Sequence, residues 1–228
     1  YKRQVLNGSV TVVDAQKCKM YMKNFGEFFN DQVEHANAII LSRTGEISPD
    51  KLDTDIALLR EHNPNASLIV TPWSELTGAQ ILEAMEKRNT LEAELELLRE
   101  ESRHEHHHHD DDCDCGCHDH DHEHHHHHHA DDVFTSMGME TPHKYSEEEL
   151  TEILKKLSAE GDAYGSILRA KGIVPAVEGE WFHFDLVPGE YEVRRGSADY
   201  TGRLCVIGAQ LKEEEIQRIT KAKRKWDI

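Results

Sequence analysis

Residues 104–129 read HEHHHHDDDCDCGCHDHDHEHHHHHH, and this stretch decides how the rest of the chain is divided. It holds 14 of the 18 histidines and 3 of the 5 cysteines, and it contains no aliphatic residue, Phe, Tyr or Trp. A stretch with nothing apolar to bury cannot form a core of its own. We therefore expect a disordered linker over residues 102–132, with one folded unit before it at residues 1–101 and another after it at residues 133–228.

The side chains of this linker are imidazoles, thiols and carboxylates, which are the groups that bind zinc and related divalent metals. Clustered acids raise the local concentration of cations, and the C-x-C-x-C core adds thiolates that favour zinc or copper(I) over magnesium. Many overlapping sets of four ligands are possible, so we expect several exchangeable metal sites. The candidate ligands are His104, His106, His107, His108, His109, Cys113, Cys115, Cys117, His118, His120, His122, His124, His125, His126, His127, His128 and His129.

Two plainer readings of the linker stay open. In the first interpretation the linker is a solvated run of charges that binds metal only as any polyhistidine does. In the second it is an engineered purification tag. Tags lie at chain ends and do not alternate with Asp and Cys, which favours a metal-handling segment over a tag.

The net charge of the chain is −18, and ten of its acidic residues lie between residues 104 and 132, where there is no Lys or Arg. The remaining charge is ordinary and argues against a nucleic-acid partner. No apolar run has transmembrane length, so no membrane partner is expected either. Cys18 falls on an apolar helix face and Cys205 inside a strand, so both thiols should be buried, and a reducing cytoplasm fits the cysteine usage best.

The first unit alternates short apolar runs with amphipathic helices. The runs at residues 10–13, 38–41 and 68–70 predict buried parallel strands. Between and after them, helical spacing predicts one helix over residues 18–33, a second from Pro49, and a long third helix from about residue 75 to residue 98. This order predicts an open α/β sheet, whose ligands bind outside the carboxyl ends of the strands.

The second unit has more strands than helices, and its strands follow one another directly. Apolar runs predict strands at residues 133–139, 167–177, 181–187, 191–195 and 203–208, with a Pro188-Gly189 turn. Ser146 and Glu149 form a capping box before one helix, and a second helix closes the chain. The pattern predicts a small α+β domain with a largely antiparallel sheet.

The segments GSVTVVDA, NAIILSRTGEI and LREHNPNASLIVTPWSEL resemble the second half of the GTPase domain of CobW-type metallochaperones. ILRAKGIV at residues 167–174 and RLCVIGAQLKEEEI at residues 203–216 resemble the C-terminal domain of the same family, in which a His/Asp-rich insertion is common. The resemblance implies a partial P-loop NTPase sheet followed by a CobW C-terminal domain. It also implies a GTP-dependent protein that delivers zinc, cobalt or a related divalent metal to a client metalloprotein.

The resemblance places purine-nucleotide contacts at the strand ends, on Ser42, Arg43, Thr44, Gly45, Pro72 and Trp73. Residues 42–45 align with the family's N-K-x-D element, but Ser replaces Asn and Gly replaces Asp, which puts guanine preference in doubt. No G-x-x-x-x-G-K-[ST] loop occurs in the 228 residues, so we expect the phosphate- and Mg²⁺-binding parts to lie upstream of Tyr1 in an intact protein. These residues alone are predicted to be inactive as a GTPase. The alternative is a non-enzymatic metal-buffering or storage protein with a vestigial nucleotide-binding scaffold.

Overall fold

The computed structural model describes residues 8–86, 90–105, 134–159 and 163–221. In these ranges the chain forms a parallel sheet followed by a separate antiparallel sheet. The predicted fold class, an α/β unit followed by an α+β unit, is therefore confirmed.

The parallel sheet has the strand order β1-β2-β3, and helices connect its strands. Its strands are β1 (Val10–Asp14), β2 (Ala38–Ser42) and β3 (Ser67–Ile69). The helices of this unit are α1 (Cys18–Asn24), α2 (Gly26–Glu34), α3 (Pro49–His62) and α4 (Gly78–Glu86). Ser48 caps α3 by accepting a hydrogen bond from the backbone N–H of Lys51, and Pro49 occupies its first turn, as the sequence predicts.

Two predicted helices are each divided in the structure. The helix predicted over residues 18–33 breaks at Phe25, just before Gly26, a residue of low helix propensity. The prediction of one long helix from residue 75 is also wrong. Residues 73–75 form a 3₁₀ turn, and α4 begins only after it, where the hydroxyl of Thr77 caps the helix by accepting a hydrogen bond from the N–H of Gln80. A second helix, α5 (Thr90–Glu105), follows. None of the helices in the described ranges is long and apolar enough to cross a membrane.

The core of the first unit lies between one face of the sheet and α1, α2 and α3. Val13, Ile39, Leu41 and Leu68 fill it from the strands. On the opposite face Val12 is 58% exposed. The prediction that β1 is buried is therefore correct for Val13 and wrong for Val12. On the face of Val12, the apolar cluster to which α4 contributes Ala84 includes Val10 but does not include Val12.

A buried amide connects the end of α3 to the loop before β2. The Asn63 side chain is 6% exposed, and its Nδ2 donates to the carbonyls of Val33 and Ala36 at 2.8 and 2.9 Å. Its Oδ1 accepts from the backbone N–H groups of Asn65 and Ala66 at 3.1 and 2.9 Å. One side chain therefore satisfies backbone groups at the end of α2, in the loop before β2 and in the turn after α3.

Replacing Asn63 with Ala should lower the free energy of unfolding by about 2 kcal/mol, because several buried backbone groups would lose their partner together. Urea unfolding followed by circular dichroism measures this change. The matched control is Asn65→Ala on the exposed turn beside it, which should stay within about 0.5 kcal/mol of the parent. Equal midpoints for the two variants would contradict the role given to Asn63.

The antiparallel sheet has the strand order β4-β8-β5-β6-β7. Its strands are β4 (Thr135–Thr141), β5 (Ser166–Val174), β6 (Trp181–Val187), β7 (Glu190–Gly196) and β8 (Gly202–Ala209). The helices α6 (Glu147–Ser158) and α7 (Glu213–Thr220) pack on one face, where Leu150, Leu154 and Ile216 are fully buried. Ser146 caps α6 by accepting from the N–H of Glu149 at 3.2 Å, as predicted.

Helix α5 packs on the other face of this antiparallel sheet, although the sequence pattern groups most of it with the first unit. Leu91, Leu95 and Leu98 lie against Cys205 and Ile207 of β8. The helix comes close because Gly138 of β4 has no side chain; a Cβ there would lie 2.9 Å from Leu95 Cδ1. The helix that leads into the His-rich linker is therefore held on the second sheet.

Hydrogen bonds and an ion pair join the two sheets directly. The backbone N–H groups of Val70 and Thr71 donate to the carbonyl of Tyr200 at 2.8 and 3.0 Å. Arg60 of α3 makes a two-pronged ion pair with Glu140 of β4, with N–O distances of 2.7 and 2.6 Å. These contacts bring the end of β3 beside the loops of the second unit.

Candidate functional site

A cleft of about 370 Å³ opens at the carboxyl ends of β2 and β3, between the two units. Ligands of open α/β sheets bind at this edge. From the first unit the cleft is lined by Thr44, Gly45, Ile47, Pro49, Leu52, Val70, Thr71, Pro72 and Glu75. From the second unit it is lined by Pro142, His143, Lys144, Pro175, Trp181 and Gly202.

The loop after β2 brings two predicted nucleotide contacts into this cleft. Arg43 adopts the left-handed conformation, with φ of 60°, and the chain then turns into the 3₁₀ helix Thr44–Glu46. Thr44 and Gly45 line the cleft as a result, and Pro72 meets them from the loop after β3. The structure therefore brings together three of the six predicted nucleotide-binding residues.

The other three are not among the lining residues. The Ser42 hydroxyl donates to the carbonyl of Val13 at 3.1 Å, which ties β2 to β1. Arg43 turns to the carboxylate of Asp14, with an N–O distance of 3.2 Å. Trp73 is 51% exposed and belongs to none of the apolar clusters formed by the described residues. These contacts hold the loop in place, and they use Ser42 and Arg43 for that purpose.

The second unit contributes an ordered wall that the sequence pattern does not place here. His143 lies edge-on to the ring of Tyr145, with 4.6 Å between ring centroids, and its Nε2 lies 3.3 Å from Glu149 Oε1. Beside it Trp181 is only 4% exposed and forms part of the floor. No local sequence signal marks these residues as neighbours of Gly45, because they lie about a hundred positions further along the chain.

Most of the cleft wall is apolar, and two of its charged side chains have no partner among the described residues. The Glu75 carboxylate and the Lys144 ammonium both face the cleft and make no hydrogen bond or ion pair within the described residues. Pockets for small ligands typically combine such apolar walls with a small number of polar groups. The cleft therefore offers one charged acceptor and one charged donor against aliphatic and proline surfaces.

The predicted metal ligands almost all lie outside the described residues. His104 lies in the last turn of α5, and residues 106–129 are not described. Within the described ranges no group of three His, Cys, Asp or Glu side chains is placed to hold a metal ion.

The two cysteines outside the linker are unsuited to metal binding. Cys18 and Cys205 are free thiols and both are buried, as predicted. Burial, together with the nearby Asp55 carboxylate, raises the pKa of Cys18 to about 12. Burial and the Glu94 carboxylate raise the pKa of Cys205 to about 12. Since the thiolate is the metal ligand, these two residues stay protonated and inert at neutral pH.

The two cations of the RAKG segment serve structural ion pairs. Lys171 Nζ lies 2.5 Å from Glu101 Oε2, so it holds α5 on the sheet. Arg169 pairs with Asp185 of the neighbouring strand at 3.2 Å. Both side chains are therefore engaged within the fold, and neither lies in the cleft.

Two solved structures are similar to the chain. They are the crystal structure of Zn(II)-bound YjiA GTPase from E. coli and that of a Zn(II)-bound triple mutant of YjiA GTPase. Each is 18% identical, with a TM-score of 0.36 and 98% of this chain covered. The chain spans 63% of the length of each. A comparison with curated proteins finds no match.

A protein family matches the second unit. Residues 134–223 match the family described as the cobalamin synthesis protein cobW C-terminal domain. The matched range runs from the residue before β4 to beyond the end of α7, so it contains the whole antiparallel sheet with α6 and α7. The second unit of the chain is therefore similar to the cobW C-terminal domain.

Proposed function

We propose that the chain is part of a CobW-type, nucleotide-dependent metallochaperone that gathers zinc, or cobalt or another divalent metal, and delivers it to a client metalloprotein. The observation that carries this proposal is the density of metal ligands in residues 104–129 of a chain whose second unit is similar to the cobW C-terminal domain. The metal is cargo here, held by imidazoles and thiolates that exchange it. The reduced thiols that this role needs fit a cytoplasmic location.

The placement of α5 supports the proposal. This helix ends at Glu105, so the His-rich linker begins on an element that Leu91, Leu95 and Leu98 hold against the second sheet. The linker returns to the same sheet at β4, and Arg99 near the end of α5 bonds to Ser136 near the start of β4. The elements at both ends of the linker are thus held close together. Metal binding therefore does not have to offset the entropic cost of bringing the two ends together.

The cleft supports the nucleotide half of the proposal. Guanine presents N1–H and N2–H donors on one edge and O6 and N7 acceptors on another. Glu75 can accept from the first edge and Lys144 can donate to the second, which would replace the carboxylate that the family motif has at the position of Gly45. When bound, the nucleotide would supply the hydrolysis energy that drives metal transfer in the intact protein.

If the cleft reads guanine, Glu75→Gln should weaken guanosine binding about tenfold, since it loses a hydrogen bond to a charged acceptor. Adenosine binding should change little. Nucleosides are the right probes, because the chain has no recognisable phosphate cradle, and saturation-transfer NMR measures their binding. The matched control is Glu46→Gln, one position after Gly45, where the carboxylate accepts from Gln16 Nε2 at 2.5 Å instead of lining the cleft. Unchanged discrimination in the Glu75 variant would refute the assignment.

Hydrolysis should be absent from these 228 residues taken alone. Phosphoryl transfer needs a cradle for the β- and γ-phosphates, a Lys and Mg²⁺, and the sequence has no G-x-x-x-x-G-K-[ST] loop. Phosphate release from GTP should therefore equal the rate without protein. A turnover typical of GTPases that is lost on mutation within this chain would overturn this expectation. The same sequence feature favours the second candidate function, a metal buffer with a vestigial scaffold.

A further inference from the structure

The corner between α1 and α2 exposes a cluster of large apolar side chains. Phe28 is 72% exposed, Phe25 is 58% exposed and Met20 is 46% exposed. Phe25 touches the ring of Tyr21, with 5.8 Å between ring centroids, and the exposed side of the cluster has no cover within the described residues. Phe25 and Phe28 are three positions apart, a spacing at which helical side chains are neighbours, and large apolar side chains exposed together are typical of an interaction site.

The charges around this corner are divided by sign. Helix α1 and the residue before it carry Lys17, Lys19 and Lys23, all exposed, and α1 contains no acidic residue. Helix α2 carries Glu27, Asp31 and Glu34, also exposed, and contains no basic residue. The apolar cluster around Phe25 lies at the boundary between the basic helix and the acidic helix.

The basic side chains are available for a partner. None of Lys17, Lys19 and Lys23 lies within 4.0 Å of a carboxylate in the described part of the chain. Glu27 also has no cation within this distance there, and Asp31 pairs only with His35 of its own helix end. Lys19 also acts electrostatically on the buried Asp55 of α3, and Glu34 lies 3.4 Å from His62 Nδ1. Lys17 and Lys23 on one side and Glu27 on the other are therefore the charges that the described residues leave without a charged partner.

We propose that the α1–α2 corner is a self-association surface whose occupant is the same corner of a second copy of this chain. A twofold axis through the Phe25 and Phe28 cluster places the basic α1 of each copy against the acidic α2 of the other. Such an interface is isologous, since each charge meets its complement twice. A partner of one sign only would leave half of the corner facing like or unmatched charge.

The size of the surface predicts a weak dimer. A wholly buried aromatic side chain contributes about 150–250 Å² to an interface. Two phenylalanines and one methionine per copy therefore give an apolar centre below the standard interface of about 800 Å² per partner. The flanking charge pairs must supply the remainder, so association should weaken when salt screens them.

Sedimentation velocity of the full chain over a range of protein concentrations tests this inference, with a chelator present so that metal cannot bridge the linkers. The parent should pass from monomer to dimer as concentration rises. Lys17→Glu with Lys23→Glu, and separately Glu27→Lys with Asp31→Lys, should each weaken association at least tenfold, because like charges then face each other across the axis. An equimolar mixture of the two variants should associate again, since each supplies what the other lost.

Two further variants separate a surface effect from a folding effect. Phe28→Ser should abolish association, while Leu97→Ser, a change at a residue that is also 58% exposed but lies on α5, should leave it unchanged. All of these side chains are exposed, so thermal unfolding should match the parent. A parent that stays monomeric at the highest concentration, or charge-reversed variants that dimerise as the parent does, would overturn the proposal.

Discussion

Lowering the pH from 7 to 5.5 should weaken zinc binding by the chain by roughly two to three orders of magnitude. An imidazole binds metal only in its neutral form, and an ordinary imidazole has a pKa of about 6.5. Between these two pH values the neutral fraction of each such group falls about eightfold, so a site with three imidazole ligands loses about 500-fold. The direction of the change in affinity follows from this competition. Protons and the metal compete for the same imidazole nitrogens, so the affinity for zinc falls as the pH falls.

Competition with a chromophoric zinc chelator at the two pH values measures this loss. Circular dichroism at both values serves as the control, since the two folded units have their own apolar cores and should not unfold in this range. An affinity that is the same at pH 5.5 and pH 7 would mean that carboxylates, which stay ionised there, hold the metal instead of imidazoles.

Replacing Gly172 with Ala should lower the free energy of unfolding of the second unit by about 3 kcal/mol. Gly172 lies in β5 opposite Phe184 of β6 and Leu204 of β8. A Cβ at this position would overlap the Phe184 ring and would lie 2.6 Å from the carbonyl oxygen of Arg203. The Phe184 ring can rotate only into a packed core, and the Arg203 carbonyl belongs to a paired strand. Moving either group away from the new Cβ would therefore cost free energy.

Urea unfolding measures the effect, and Gly78→Ala provides the matched control. A Cβ added at Gly78 would have no neighbouring atom within 4 Å, so this change should stay within about 0.5 kcal/mol of the parent. Equal midpoints for the two variants would show that the sheet accommodates a side chain at Gly172. The glycine of the RAKG segment would then have no packing role.

The positions of the strands could be predicted from the sequence because they depend on the local pattern of apolar residues. The runs VTVVD and AIILS are short, apolar and β-branched, and both form parallel strands in the structure. The caps at Ser48 and Ser146 were equally local, since each needs only a hydroxyl and an N–H three positions later. Tertiary context decided what the pattern left open, such as the exposure of Val12.

Only the side of the cleft that belongs to the first unit could be predicted from the sequence. The rule that ligands bind at the carboxyl ends of parallel strands led to Thr44, Gly45 and Pro72, which do line it. His143, Lys144 and Trp181 reach it because the two sheets are joined through Tyr200 and Arg60, and such long-range docking has no periodic signature. Leu91, Leu95 and Leu98 showed that α5 has an apolar face, but not which sheet would cover it.

Zinc titration by calorimetry at pH 7 tests the central claim most directly, namely that residues 104–129 handle the metal. The full chain is compared with a variant in which these residues are replaced by a Gly/Ser spacer of equal length, which keeps the separation of α5 and β4 unchanged. We expect more than one Zn²⁺ per full chain, loss of most of that binding in the variant, and the same unfolding curve for both in the absence of metal. If the variant still binds zinc with the full stoichiometry, the metal is held elsewhere and the account is wrong.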